Sequence, residues 1–304
     1  MKNNNFNTEY QEDSISIIST GKLGSNLAIA LQDSKYILKS VHSSRINQRV
    51  LLQKKLNGNI LVTSDIHQAI KDSKYIFLTC TDDQIKTIVP KINSQHNQVL
   101  IHFSASVPLS ALSICNNEIN KTGTIHPLQT FPNINCSDRL YKIPYAIESN
   151  HDDVLEWSYN FAKNFEGIPL KLSPEFRNIY HAAAVTSCAL LSSLISISSN
   201  MLDFLKLDED TRINMLLPII YSTLEGISKE GIQKSMTGPY IRGDFDTINS
   251  HINILENFDP KISLAYNSLA LYTLEKTLIN NPRYKSINEK LLKSMKKNLE
   301  ILSK

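Results

Sequence analysis

Ser14-Ile15-Ser16-Ile17-Ile18-Ser19-Thr20-Gly21-Lys22-Leu23-Gly24 reads as a strand, a tight turn and the opening of a helix. The β-branched run stops at Ser19, glycines follow at 21 and 24, and an apolar-periodic segment from Leu27 to Leu31 continues the helix. A dinucleotide fingerprint needs one glycine for the tight turn, one for close approach of the pyrophosphate and one for helix packing, with phosphate at the helix N-terminus. The three places here hold Ser19, Gly21 and Gly24, so the first glycine is missing. A glycine-bearing turn in any α/β fold would look similar, but its position after the first strand makes Ser19, Gly21, Lys22, Leu23 and Gly24 candidate cofactor contacts.

Outward from this turn, strands are predicted at Tyr36–Val41, Ile60–Thr63, Tyr75–Cys80 and Val99–Phe103. Helices fall between them at Ile46–Lys55, Ile66–Lys71 and Asp82–Val89, the last stopped by Pro90. Such alternation implies βαβ units, a mostly parallel sheet and right-handed crossovers, hence an α/β, Rossmann-like domain. Pro144–Ile147 and Ile168–Leu172 read as further strands flanking a helix that contains Trp157. At Ser173-Pro174-Glu175 a cap residue, a proline and an acid start a helix, and strand signals cease. Helices are expected over Pro174–Leu205, Asp210–Ile227, Asp244–Leu255, Ser263–Ile279 and Ile287–Leu302, with breaks at Leu207-Asp208, Thr237-Gly238-Pro239 and Asp259-Pro260. The predicted plan is a disordered leader over 1–13, a dinucleotide-binding domain over 14–172 and an all-helical substrate and dimerisation domain over 173–304.

The 304 residues, 41% hydrophobic and 20% charged, belong to an ordinary globular class and exclude disordered or collagen-like chains. A net charge of +3, carried largely by the tail from Lys285 to Lys304, is too mild to argue for nucleic acid. Cys80, Cys115, Cys136 and Cys188 are far apart and have no ligand spacing, so no metal site is expected and a reduced, cytoplasmic setting fits. The Asn-rich start has no apolar core for a secretory signal. Ala182–Ile197 is interrupted by serines and falls short of the roughly twenty apolar residues a bilayer requires, so a buried interdomain helix is expected and no membrane partner.

At the end of the second strand an NAD site places an acid, whereas this chain has His42-Ser43-Ser44-Arg45. Hydroxyls from Ser43 and Ser44 with the Arg45 guanidinium suit a 2′-phosphate, which points to NADPH; Arg45 opening a solvent-facing helix is the plainer alternative. Thr81, Asp82 and Ser104 follow the fourth and fifth strands, where ligands of open α/β sheets bind, although each also suits a helix cap. His126-Pro127-Leu128-Gln129-Thr130-Phe131-Pro132 reads as a strand stopped by proline and turned into a rigid exposed loop. His126 and Gln129 are catalytic candidates there, with Thr130 a substrate contact. His181 lies in Tyr180-His181-Ala182-Ala183-Ala184, where small residues allow close approach of a flat ring. Thr237 and Arg242 sit in a Gly-Pro turn, where Arg242 either anchors a carboxylate or pairs with Asp244.

Together, HPLQTFP at 126–132, SPEFRNIYHAAAV at 173–185 and TGPYIRGD at 237–244 resemble a bacterial family with a Rossmann-like domain and a helical domain of unknown function. Its wider relatives are the 6-phosphogluconate dehydrogenase-like enzymes, among them pyrroline-5-carboxylate and ketopantoate reductases. The resemblance implies NADP-dependent hydride transfer and a homodimer built by the helical half. The activity it suggests first is reduction of a 2-oxo acid, ketopantoate, by a non-orthodox ketopantoate reductase of pantothenate biosynthesis. An imine reductase, or an NADPH-binding regulator without activity, are the alternatives. The chain departs from the family at Ser19, usually glycine, and at Ala189, often asparagine. Ketopantoate reductases use a lysine acid on the interdomain helix; here no lysine lies between Lys171 and Lys206, which leaves His181 or His126 as general acid.

Overall fold

Alternate residues of the central strands face opposite sides of one sheet, and each side buries its own layer of helices. Ile15 and Ile17 of β1 (Ser14–Ile18), Tyr75 and Phe77 of β4 (Tyr75–Leu78), and Val99 and Ile101 of β5 (Val99–His102) share one core. That core takes in Leu27 and Leu31 of α1 (Lys22–Leu31), Leu52 of α2 (Ile46–Lys55) and Phe161 of α5 (Asp152–Asn164). The residues between them, Ile18, Ile76, Leu78 and Leu100, turn to the other face. There they meet Ile70 of α3 (Ile66–Ile70) and Ile85 of α4 (Asp82–Ile88). The period of two therefore explains why β4 and β5 read as near-continuous apolar runs: both faces are covered.

The computed structural model describes residues 13–92, 97–113 and 121–277. The leader expected before Asp13, Cys115, the helix expected over Ile287–Leu302 and the basic tail lie outside them. Among the described residues eight strands form one sheet in the order β3-β2-β1-β4-β5-β6-β7-β8, with β2 at Ile37–His42, β3 at Leu61–Thr63, β6 at Lys121–Pro127, β7 at Pro144–Ser149 and β8 at Ile168–Lys171. Strands β1 to β6 run parallel, β7 runs antiparallel to β6, and β8 parallel to β7. Strand order reverses between β1 and β4, which places a ligand crevice at their carboxyl ends.

Three expectations change. The strand entering at Thr124 does not stop before His126: it continues through Pro127, with His126 opposite Ala146 and Pro127 opposite Tyr145. Proline is tolerated because it falls at the strand end, and Leu128 makes the next backbone bond, to Pro144 O. The helix after Ser173 is not one α-helix: after a 3₁₀ turn come α6 (Arg177–Val185), a π-helical turn over Thr186–Leu190 and α7 (Leu191–Met201). Nor is it buried. Leu190 and Leu194 are 54% and 41% exposed, and Thr186 and Ser198 return their hydroxyls to carbonyls four residues back. Over Pro174–Met201 it has the length to cross a membrane and contains an 18-residue window of mean hydropathy 1.6.

Two compact units divide at Cys188 and Ala189, so α6 goes with the sheet. The second contains α7, α8 (Glu209–Glu230), α9 (Ile232–Ser235), α10 (Pro239–Arg242), α11 (Phe245–Phe258) and α12 (Pro260–Tyr272). Asp208, Asp244 and Asp259 cap α8, α11 and α12. Ile248 and Ile252 of α11 and Ala270 and Leu274 after them form its small core.

Candidate active site

Parallel strands put the ends of β1, β2, β4, β5 and β6 on one edge of the sheet, and every candidate of the first unit except His181 lies on or just beyond that edge. At the β1–α1 turn Ser19 takes φ +66°, the left-handed conformation that a glycine adopts without cost. Its N–H donates to His42 Nδ1 at 3.4 Å, and the N–H of Thr20 to His42 O at 3.1 Å, so the buried end of β2 braces the turn. Burial holds the His42 imidazole below its ordinary pKa, which keeps Nδ1 an acceptor. Gly21 caps α1 without a side-chain bond, and a Cβ there would meet nothing within 4 Å. That open turn, with the unpaired N–H groups of the first helical turn behind it, fits a pyrophosphate.

Gly24 is the opposite case: a Cβ would stand 2.2 Å from Thr79 Oγ1, which itself donates to Ser19 O at 3.1 Å. Gly24→Ala is expected to cost about 1–3 kcal/mol through overpacking and to abolish dinucleotide binding by displacing the turn. Ser19→Gly should do the reverse. It removes a left-handed penalty of about 1–2 kcal/mol, of which a more flexible unfolded chain takes back about 0.4–1. Urea unfolding and cofactor titration check both, and a Gly24→Ala protein that binds normally contradicts the fit.

At the end of β2, Ser43 is buried, while Ser44 and Arg45 are exposed. Arg45 donates to Thr20 O at 3.3 Å, and Arg49, one helical turn on, donates to Ser43 O and Ser44 O at 2.8 and 2.9 Å. Arg49 was not among the candidates, although its spacing from Arg45 puts both guanidinia on one face of α2. After β4, Thr81 closes a capping box with Gln84. Burial alone would raise Asp82, but hydrogen bonds from Ser106 and Ser104 outweigh it and keep the carboxyl below its usual range. Thr81, Asp82 and Ser104 therefore do serve local caps and turns, and Asp82 stays anionic beside the crevice.

His126, Gln129, Thr130, Tyr180, His181 and Cys188 line a cavity of about 480 Å³ within the first unit. Leu128 and the Ala183, Ala184 and Val185 stretch of α6 supply its apolar wall. His126 Nδ1 lies 2.8 Å from the Tyr180 hydroxyl, the rings edge to face. Burial, then the neighbouring His181 and Arg177, push His126 down to about 4. Burial raises Tyr180 to about 12 against the pull of Arg177. At neutral pH the imidazole is uncharged and the phenol keeps its proton. A histidine near its normal pKa, expected from the sequence, is not what the fold makes of His126. Below the cavity Arg177 is buried, paired with Glu148 and bonded to Thr124 Oγ1 and to the carbonyls of Ser104 and Ala105. His102, fully buried at the end of β5, is pushed down to about 3 by its burial and by Arg177. Tyr180, Arg177 and Glu148 escaped the sequence reading. Thr237 and Arg242 lie in the second unit and are not among the residues lining this cavity.

His102 and His126 make a testable contribution to stability. Their folded pKa values lie below the unfolded value, so the stability they support is present above about pH 6.5 and is lost as pH falls toward 4 and 3. Each adds a slope of up to about 1.4 kcal/mol per pH unit. Urea unfolding at pH 5 and pH 7 should show this loss, and His102→Gln should flatten it; an unchanged slope rejects the assignment.

Residues 14–106 match the family model described as NADP oxidoreductase coenzyme F420-dependent. The cofactor is NAD(P)H. Residues 143–273 match a second model, a domain of unknown function, DUF2520. No curated protein matches the chain. Among solved structures, BF3122 of Bacteroides fragilis, described as an NADP oxidoreductase, is 23% identical, with 85% of this chain and 96% of that one covered and a TM-score of 0.68. The NADP-bound pyrroline carboxylate reductase of Plasmodium falciparum is 15% identical, covering 86% and 97%, TM-score 0.57. An imine reductase from Pseudomonas sp. is 14% identical, covering 88% and 96%, TM-score 0.58. These likenesses show a shared fold.

Proposed function

We propose that the chain is an NADPH-dependent reductase of a carbon–nitrogen double bond, working in the cavity between His126 and Tyr180. The observation that carries this reading is the 2.8 Å bond between His126 Nδ1 and the Tyr180 hydroxyl, at the sheet edge that holds the dinucleotide turn. Bound NADPH supplies a hydride from its dihydronicotinamide to the imine carbon. The imine nitrogen then needs one proton and a group to orient it. Tyr180 is proposed as the donor. In the Nδ1–H tautomer His126 donates to the phenol oxygen, leaves the Tyr180 hydrogen free for the nitrogen, and steadies the phenolate until water returns the proton. Gln129 and Thr130, exposed at the cavity mouth, are proposed to orient the substrate, and His181 to complete the wall. A phenol serves a ketone's developing alkoxide as well as an imine nitrogen, so the choice against the 2-oxo acid favoured by the sequence rests on the structural neighbours. A pyrroline carboxylate reductase and an imine reductase among those neighbours support the imine. Following NADPH absorbance with 1-pyrroline, pyrroline-5-carboxylate and ketopantoate tests it: turnover of ketopantoate alone rejects the imine reading.

NADPH is preferred over NADH in this proposal because Arg45 and Arg49 flank Ser43 and Ser44 where an acid is absent. Arg45→Ala and Arg49→Ala should each weaken NADPH about tenfold, in the range of one charge-assisted hydrogen bond, and leave NADH unchanged. Equal weakening of both cofactors in fluorescence titrations contradicts the 2′-phosphate role. A homodimer built on the helical unit is proposed as well, supported by Met215, Ile219 and Leu224 standing exposed along α8.

A further inference from the structure

The side chains around the cavity carry information about the substrate beyond its reacting bond, and the inference drawn from them rests on the imine reading above. Among the described residues no lysine, arginine, aspartate or glutamate lines it. Its polar groups are two imidazoles, a phenol, an amide, two hydroxyls and the Cys188 thiol, with leucine, alanine and valine filling the rest. Arg177, which does not line the cavity, is committed to Glu148, Thr124 and two backbone carbonyls. Nothing among these offers the paired donors of a guanidinium to a carboxylate.

We infer that the substrate of this cavity is an imine bearing apolar substituents and no carboxylate. An anionic group placed here gives up hydration without gaining a counter-ion, which is the costly case of charge burial. The apolar wall of Leu128, Ala183, Ala184 and Val185 then receives hydrocarbon where pyrroline-5-carboxylate would present its acid group.

Two lactams of one ring size isolate the carboxylate: 2-pyrrolidinone lacks it and pyroglutamate carries it, and neither is reduced. Titrated against the full chain without cofactor and followed by chemical shifts of the histidine ring protons, 2-pyrrolidinone should bind at least tenfold more tightly. With NADPH added, 1-pyrroline should be reduced with a kcat/KM at least tenfold above that of pyrroline-5-carboxylate. Equal or tighter binding of pyroglutamate, or faster turnover of the carboxylated imine, overturns the inference while leaving imine reduction intact. Reduction of 2-oxo acids with both imines inert brings down the reading beneath it as well.

Discussion

Arg177→Ala is expected to destabilise the first unit by about 3–5 kcal/mol, the cost of breaking a buried ion pair from one side. Arg177 and Glu148 are 4% and 7% exposed, so the carboxylate left behind stays out of water without a partner. The carbonyls of Ser104 and Ala105 lose a donor at the same time, and Thr124 loses another. Removing both charges is a different matter: Arg177→Met with Glu148→Leu should recover much of the loss, because a buried pair is roughly balanced by hydrophobic residues of similar volume. Urea unfolding of the single and double variants measures this. A single-variant loss under about 1 kcal/mol, the usual size for exposed pairs, contradicts the burial argument. Arg177 also joins the loop after β5, strands β6 and β7, and the start of α6, one turn before Tyr180. Its loss should therefore reduce turnover in whatever fraction of the protein remains folded.

Why the sheet was legible and this cluster was not follows from how far apart the partners lie. Strand β1, its turn and α1 are one contiguous stretch in which residue period and glycine placement speak for themselves. Strands β2 to β5 repeat that local logic, and helix α2 falls at its expected bounds because its ends are set by neighbouring residues. The ion pair joins residues 29 apart, and the His126–Tyr180 bond residues 54 apart. Neither spacing has a local pattern to find. Pro127 misled because proline is a strand breaker in the interior of a sheet and harmless at its end. The long helix misled because its apolar residues promise burial, whereas only the partners around a helix decide it. His126 was found by residue type, but its pKa depends on burial and on Arg177 and His181, which only the fold brings near.

Tyr180→Phe is expected to lower kcat by about 10²- to 10⁴-fold, the usual contribution of a positioned proton donor, with NADPH binding unchanged. Phenylalanine keeps the ring beside His126 and deletes only the hydroxyl, so packing of α6 against the sheet edge should survive. His126 acts through Tyr180 as a positioning residue, and His126→Ala should cost less, about tenfold, in line with one hydrogen bond to a charged oxygen. The pH profile separates this from the reading in which a histidine itself gives the proton. With His126 at about 4 and Tyr180 at about 12, the pair holds one protonation state throughout the range between. Wild-type kcat should therefore be flat from about pH 5.5 to 9 as far as this pair controls it, whereas an imidazolium donor of ordinary pKa loses activity above about 6.5. In the His126→Ala variant the phenolate loses its donor, so the Tyr180 pKa rises further and the profile stays flat at a lower level. A profile falling with a midpoint near 6.5 that disappears in His181→Ala would transfer the proton to His181, and full activity in Tyr180→Phe would remove the phenol from the reaction altogether.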